Sequence, residues 1–252
     1  MPDPVRTALV TGGAARIGSA IVRDLAAHGW ALAIHVNSST AKAEAEAARI
    51  AADGGRAVVV QADLADIDAL RTILPRTNDK LGPVTLLVNN AATFLKDAIG
   101  ELDAQVWENQ FAVNLRAPVF LAEAFAAQLP GDEEGNIVNM IDHRVLKLRP
   151  DMTSYTIAKS ALWTATRILA QALAPQIRVN AIGPGPVLPN LHDGEAGLAG
   201  EVDGTLLKRR VDIADFGRAI RFLVETGSMT GQMLALDSGQ HLAWRTPDIL
   251  ST

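Results

Sequence analysis

Tyr155 and Lys159 stand four positions apart, so on a helix both side chains leave one face and an ammonium lies beside a phenol. A cation held there is expected to lower the tyrosine pKa and ready it to pass a proton near neutral pH. Tyr155 is the only tyrosine of the chain, and its neighbours are apolar, which argues against an accidental surface pair. Asp142 precedes this pair at the end of an apolar run and adds a carboxyl. A second chemical feature lies near the start, where Thr11-Gly12-Gly13-Ala14-Ala15-Arg16-Ile17-Gly18 follows a short apolar run and opens a helix. Glycines let backbone approach a pyrophosphate, and the free amides of a helix start stabilise its charge. A dinucleotide site is expected there, with a mere tight turn as the plainer alternative.

The end of the next apolar run decides which dinucleotide. An Asp or Glu there would hold a ribose 2'-hydroxyl, but the chain reads His35-Val36-Asn37-Ser38-Ser39. Asn37, Ser38 and Ser39 offer donors and Arg16 a positive charge, which suits a 2'-phosphate and makes NADPH the expected cofactor. Ser38, Ser39 and Thr40 are equally placed to cap the following helix.

Elements that position these groups follow from periodicity. Apolar runs at 7–10, 31–35, 57–60, 85–88, 137–141, 177–182 and 233–236 suit strands buried on both faces. Helical spacing of apolar residues fills 17–28, 40–53, 66–80, 103–128, 154–174 and 213–225. The alternation predicts an α/β, doubly wound Rossmann-type fold: a parallel sheet of about seven strands with helices on both faces. Pro118 should bend the fourth helix just beyond Asn114. Residues 183–210 hold six glycines and three prolines and read as a long loop, either a floppy connection or a lid over substrate.

Composition removes other functions. The 252 residues are 48% hydrophobic with no linker-like break, so residues 1–252 are expected to form a single catalytic domain. With no cysteine there is no thiolate nucleophile, and the five histidines lack metal-ligand spacing, so no metal site is expected. A net charge of -5 offers no basic stripe for nucleic acid. Met1-Pro2-Asp3-Pro4 does not start a signal peptide, no run suits a membrane span, and Asp248-Ile249-Leu250-Ser251-Thr252 carries no prenylation cysteine. A cytoplasmic protein acting on a small molecule is the expectation.

The glycine turn, Asp63, Asn89-Asn90-Ala91, Asn114, Tyr155 with Lys159, and Pro184-Gly185 together resemble the short-chain dehydrogenase/reductase family over essentially the whole chain. The resemblance implies that Gly12, Arg16, Ile17, Gly18, Asn37, Ser38 and Ser39 hold the cofactor's phosphates and ribose. It adds Asp63 at the adenine, Asn89 and Ala91 in a segment that steadies the sheet beside the cofactor, and Leu64, Pro184, Gly185 and Val187 as further cofactor-binding residues. Tyr155 and Lys159 would be both cofactor-binding and catalytic, and Asn114 would anchor a water that resupplies protons through Lys159. A homotetramer is implied by the family alone.

Two departures narrow the resemblance. Asp142 stands where the family usually has serine, and Arg16 where it usually has glycine. Both, with Phe94 as an aromatic to stack a pterin, are similar to the pteridine reductase branch. Substrate contacts are then expected at Arg16, Phe94, Asp142 and Tyr155, and the expected activity is NADPH-dependent reduction of dihydropterins or folate-like rings. Ala92 departs from that branch, which often has a serine there. A carbonyl reductase on the same fold and a catalytically silent NADPH sensor are the alternatives.

Overall fold

All seven apolar runs become strands of one parallel sheet. They are β1 (Thr7–Thr11), β2 (Ala31–Val36), β3 (Ala57–Gln61), β4 (Leu86–Asn89), β5 (Gly135–Met140), β6 (Ile177–Pro184) and β7 (Met233–Leu236), in the order β3-β2-β1-β4-β5-β6-β7. The structure is a computed structural model and describes residues 6–190 and 192–244; the two chain ends read above, residues 1–4 and 248–252, lie outside them. Alternation along each strand explains why whole runs are apolar. Ala8 and Val10 of β1 join the core on one side of the sheet, while Leu9 joins the core on the other.

Helices cover both faces. α1 (Arg16–Ala27), α2 (Thr40–Ala52) and, near the chain's end, the helix over Ala214–Glu225 bring Ile21, Leu25, Ile50, Phe216 and Ile220 to the first core. The opposite core receives Leu70, Ile73, Leu121 and Phe125 from the helices between β3 and β5. No helix among the described residues is long and apolar enough to cross a membrane.

Three expectations need correction. The helix expected over 66–80 divides into α3 (Ile67–Arg71) and α4 (Ile73–Leu81). At the break the N–H and hydroxyl of Thr72 both bond the Ala69 carbonyl, and Pro75 has no N–H for Arg71, four residues back. The helix over 103–128 is not simply bent: α5 (Ala104–Phe111) passes through a π turn (Ala112–Arg116) into α6 (Ala117–Gln128). Pro118 removes the donor that the Asn114 carbonyl would meet in an unbroken α-helix. The expected loop over 183–210 contains α8 (Gly194–Asp203), so it is partly ordered. It lies between β6 and α9 (Ala214–Glu225), and α7 (Thr153–Ala172) carries Tyr155 and Lys159.

The order in which the parallel strands are added to the sheet reverses between β1 and β4. β2 lies on one side of β1 and β4 on the other, so the connections leave to opposite sides and open a crevice at the carboxyl ends of the strands.

Candidate active site

A cleft of about 600 Å³ occupies that crevice. At one end the glycine turn folds tightly on itself: Gly12 has φ +64, and a Cβ on Gly18 would sit 2.2 Å from the Gly12 carbonyl oxygen. Only glycine fits both positions, and backbone therefore faces the cleft where side chains would otherwise fill it. Asn90 braces the turn, its Nδ2 donating to the carbonyls of Thr11 and Gly12 at 2.9 and 3.2 Å. The N–H groups of Asn90 and Ala91 donate to Thr11 Oγ1 at 2.9 and 3.0 Å.

His35 is a further brace. Its Nδ1 accepts the Gly12 N–H at 3.4 Å, so Nε2 carries the proton it directs to the Ala62 carbonyl at 3.1 Å. Burial holds His35 neutral, lowering its pKa from 6.5 to about 4 against the opposing pull of the Ala62 carbonyl and Asp63; Arg76 lowers it further. The unfolded chain therefore takes up a proton that the native chain refuses as pH falls from 6.5 towards 4, and stability declines over that window. Urea unfolding of wild type and His35→Gln at neutral pH and near pH 5 should show about 2 kcal/mol less acid sensitivity in the variant. Equal slopes would place no buried neutral imidazole at this position.

Most of the expected cofactor residues meet in the cleft. Gly12, Arg16, Ile17, Gly18, Asn37, Asp63, Leu64, Ala91, Pro184 and Gly185 line it, with Asp63 turned by its bond to the Ala65 N–H at 2.9 Å. Five are placed differently from that expectation. Ser38 and Ser39 lie exposed outside the lining, and Ser39 stands at the start of α2 without a side-chain cap bond. Asn89 points into the sheet, donating to Asn139 Oδ1 at 2.8 Å, because the neighbouring strand offers a buried acceptor. Val187 is buried in the core instead of facing the cleft. Arg16, at φ +53, reaches across the cleft to the carbonyls of Pro189 and Leu188 at 2.9 and 3.4 Å, so its donors meet the segment after β6 rather than the Asn37–Ser39 corner.

At the other end the expected trio comes together. Tyr155 Oη donates to Asp142 Oδ2 at 2.9 Å, and both residues are buried. Asp142 Oδ1 receives the Arg144 N–H at 2.8 Å, and Arg144 Nη1 lies 3.4 and 3.2 Å from the two carboxylate oxygens. His143 Nδ1 is 2.9 Å from the Pro184 carbonyl and 3.1 Å from Asp142 Oδ1, both acceptors, so this nitrogen carries a proton. Burial pushes the Asp142 pKa up, but the His143 hydrogen bond and the Arg144 charge outweigh it and hold the carboxyl at about 2. Asp142 is an anion at neutral pH.

This reverses one expectation. Burial first, then the charge and hydrogen bond of Asp142, push the Tyr155 phenol well above its usual 10; the spacing to Lys159 does not lower it. Lys159 Nζ lies 5.9 Å from the centre of the Tyr155 ring and donates to the Met140 carbonyl at 2.8 Å. Burial lowers Lys159 to about 8, against the opposing charge of Asp142. The phenol is thus a firmly protonated donor beside an ammonium that yields its own proton near neutral pH.

Phe94 presents its ring edge-on to Tyr155, centroids 4.8 Å apart at 86°. Asn114 fixes that segment with its side chain, accepting from the Thr93 N–H at 3.2 Å and donating to the Thr93 carbonyl at 3.0 Å. The segment after β6 reaches the same mouth through His192 on the Phe94 carbonyl and Asp193 on Lys96. Sequence reasoning missed Asn90, His35, Arg144 and Glu201, all of which line the cleft. Asn90 was legible as the second half of a paired asparagine; Glu201 carries no local signal, since it reaches Arg144 from 57 residues away.

A glycine-turn crevice at a topological switch, with phenol, ammonium and carboxylate buried at its far end, defines a dinucleotide-dependent oxidoreductase of the Rossmann class. The sequence profile described as enoyl-(acyl carrier protein) reductase matches residues 12–241. The chain belongs to this family, within the short-chain dehydrogenases/reductases. A probable galactose dehydrogenase, GalD, of Rhizobium meliloti is 34% identical over 93% of this chain and 94% of its own. Among solved structures, FolM alternative dihydrofolate reductase 1 from Brucella suis in complex with NADP is 53% identical, covers 97% of this chain and 98% of its own, and superposes with a TM-score of 0.94. A short-chain dehydrogenase/reductase from Serratia marcescens is 28% identical over 96% of this chain and 100% of its own, with a TM-score of 0.89.

Proposed function

We propose that this oxidoreductase uses NADPH to reduce a dihydropterin or folate-like fused nitrogen ring. The observation that carries the reading is the buried Tyr155–Asp142 hydrogen bond of 2.9 Å with the Phe94 ring beside it. A carbonyl substrate needs one donor to oxygen. A ring C=N bond needs a proton at nitrogen, and an anionic partner that keeps the phenol protonated and oriented suits that task better than a serine. FolM from Brucella suis, an alternative dihydrofolate reductase in complex with NADP, supports the same reading through its likeness to this chain.

Bound NADPH supplies the hydride that goes to the ring carbon. Gly12, Ile17 and Gly18 would take its pyrophosphate on backbone, Asp63 and Leu64 its adenine, and Lys159 its nicotinamide ribose. Phe94 would lie against one face of the substrate ring. Tyr155 would give its proton to the nitrogen adjacent to the reduced carbon, and Lys159 would replace it through a water held at the Asn114 carbonyl. Asn37 is the cleft-lining donor at the 2'-phosphate corner, and Arg16 would meet substrate or pyrophosphate from the lid side. By the family resemblance the working unit would be a homotetramer, and the composition suits single-domain cytoplasmic chains over residues 1–252.

Consumption of NADPH with dihydrobiopterin or dihydrofolate, set against acetoacetyl thioesters and simple ketones, tests the reading. Turnover of the dihydropterins is expected. Turnover confined to the ketones or thioesters would make the protein a carbonyl reductase, and binding of NADPH without turnover of any substrate would make it a sensor.

A further inference from the structure

Arg144 sits between two carboxylates from distant parts of the chain. Its Nη1 contacts Asp142, and its Nη2 donates to Glu201 Oε1 at 2.9 Å. Glu201 lies on α8, the helix within the lid, and the Arg144 side chain is only 8% exposed. A guanidinium carries two parallel donors along one edge and fits a carboxylate with both. Here Glu201 holds Nη2, so Arg144 reaches Asp142 through the backbone N–H and Nη1 alone, and Asp142 Oδ2 is shared between Nη1 at 3.2 Å and the Tyr155 phenol at 2.9 Å. Without the Glu201 charge the second nitrogen is also free to close on Asp142, and the full fork would displace the phenol from the oxygen it now shares with Nη1 alone.

We propose that Glu201 is a positioning residue acting through Arg144, so that seating α8 over the cleft and orienting the Tyr155–Asp142 pair are one coupled event. The proposal rests on the reading of that pair as the proton donor. Coupling of this kind is reciprocal, so whatever orders the donor also holds the lid. A lone stabilising ion pair would not need a shared arginine, and buried pairs are a poor source of stability in themselves.

The test uses the full chain without substrate. Because Tyr155 is the only tyrosine, labelling with tyrosine enriched at Cζ gives one carbon resonance that reports this phenol alone. In Glu201→Gln, and more in Glu201→Ala, that resonance is expected to move at neutral pH. Hydrogen exchange of the amides in α8 should rise about tenfold while β4 and α6 keep their rates. Arg144→Lys keeps the charge but has no fork to bridge two carboxylates, and should change both readouts in the same sense. A tyrosine resonance unmoved in Glu201→Ala, unchanged exchange in α8, or a rise that extends equally through β4 would each overturn the proposal. None of these measurements depends on dihydropterin turnover, so the coupling and the substrate reading fail separately.

Discussion

Replacing Tyr155 with phenylalanine is expected to lower turnover by about 10²-fold or more, since a positioned general acid contributes at least that much. The ring stays, and with it the edge contact to Phe94 at 4.8 Å, so the shape of the cleft is kept. Asp142 loses one donor but keeps Arg144 and His143. The deficit should therefore fall on kcat, with substrate KM and NADPH affinity within about threefold of wild type, as for an interaction made mainly in the transition state. Steady-state kinetics and fluorescence titration of NADPH separate the two quantities. A variant retaining more than about a tenth of wild-type turnover would sink the assignment of the phenol as proton donor.

The second large effect concerns the carboxylate beneath it. Asp142→Asn preserves size but removes the charge that Tyr155, His143 and Arg144 all face. Turnover with dihydropterins should again fall about 10²-fold, because the phenol loses the anion that orients its proton. The same change should lower the phenol's pKa, since the Asp142 charge and hydrogen bond are, after burial, what raise it. Wild type should show no tyrosinate signal until the protein unfolds in alkali, whereas the variant should titrate earlier, and a single tyrosine makes the comparison unambiguous. The acid limb gives the opposite check. Held at about 2 against 3.8 unfolded, Asp142 contributes stability in full above 3.8 and loses it as pH falls through about 2. The stability gap between wild type and Asp142→Asn should close across that window in urea titrations. A gap that stays constant would mean the carboxyl is not held ionised by its neighbours.

Much of this site was readable before any fold was known, and the reason is local. Tyr155 and Lys159 share a helix, so their common face follows from helical geometry alone. The glycine turn is equally local, since Gly12 and Gly18 answer to a backbone that must pass over itself within one strand-to-helix turn. Asp142 was legible through its position relative to Tyr155, although its charge state was not. Spacing suggested that a nearby lysine would lower the tyrosine pKa; the packed site instead buries the phenol against an anion, desolvation with that anion outweighs the opposing charge of Arg144, and the ammonium is turned to the Met140 carbonyl.

Strand and helix alternation, the dinucleotide turn and the residue types of the proton donor were determined by the sequence itself, because each depends on neighbours a few positions away. Tertiary structure alone decided that Asn89 faces Asn139, that Val187 turns into the core, that Arg16 crosses to the Pro189 carbonyl, and that Glu201 reaches Arg144 from α8. Those outcomes depend on which distant surfaces the doubly wound sheet brings together. A side chain's partner, and with it its charge, is set by the polar groups left within reach once the apolar faces of the helices have closed on the sheet.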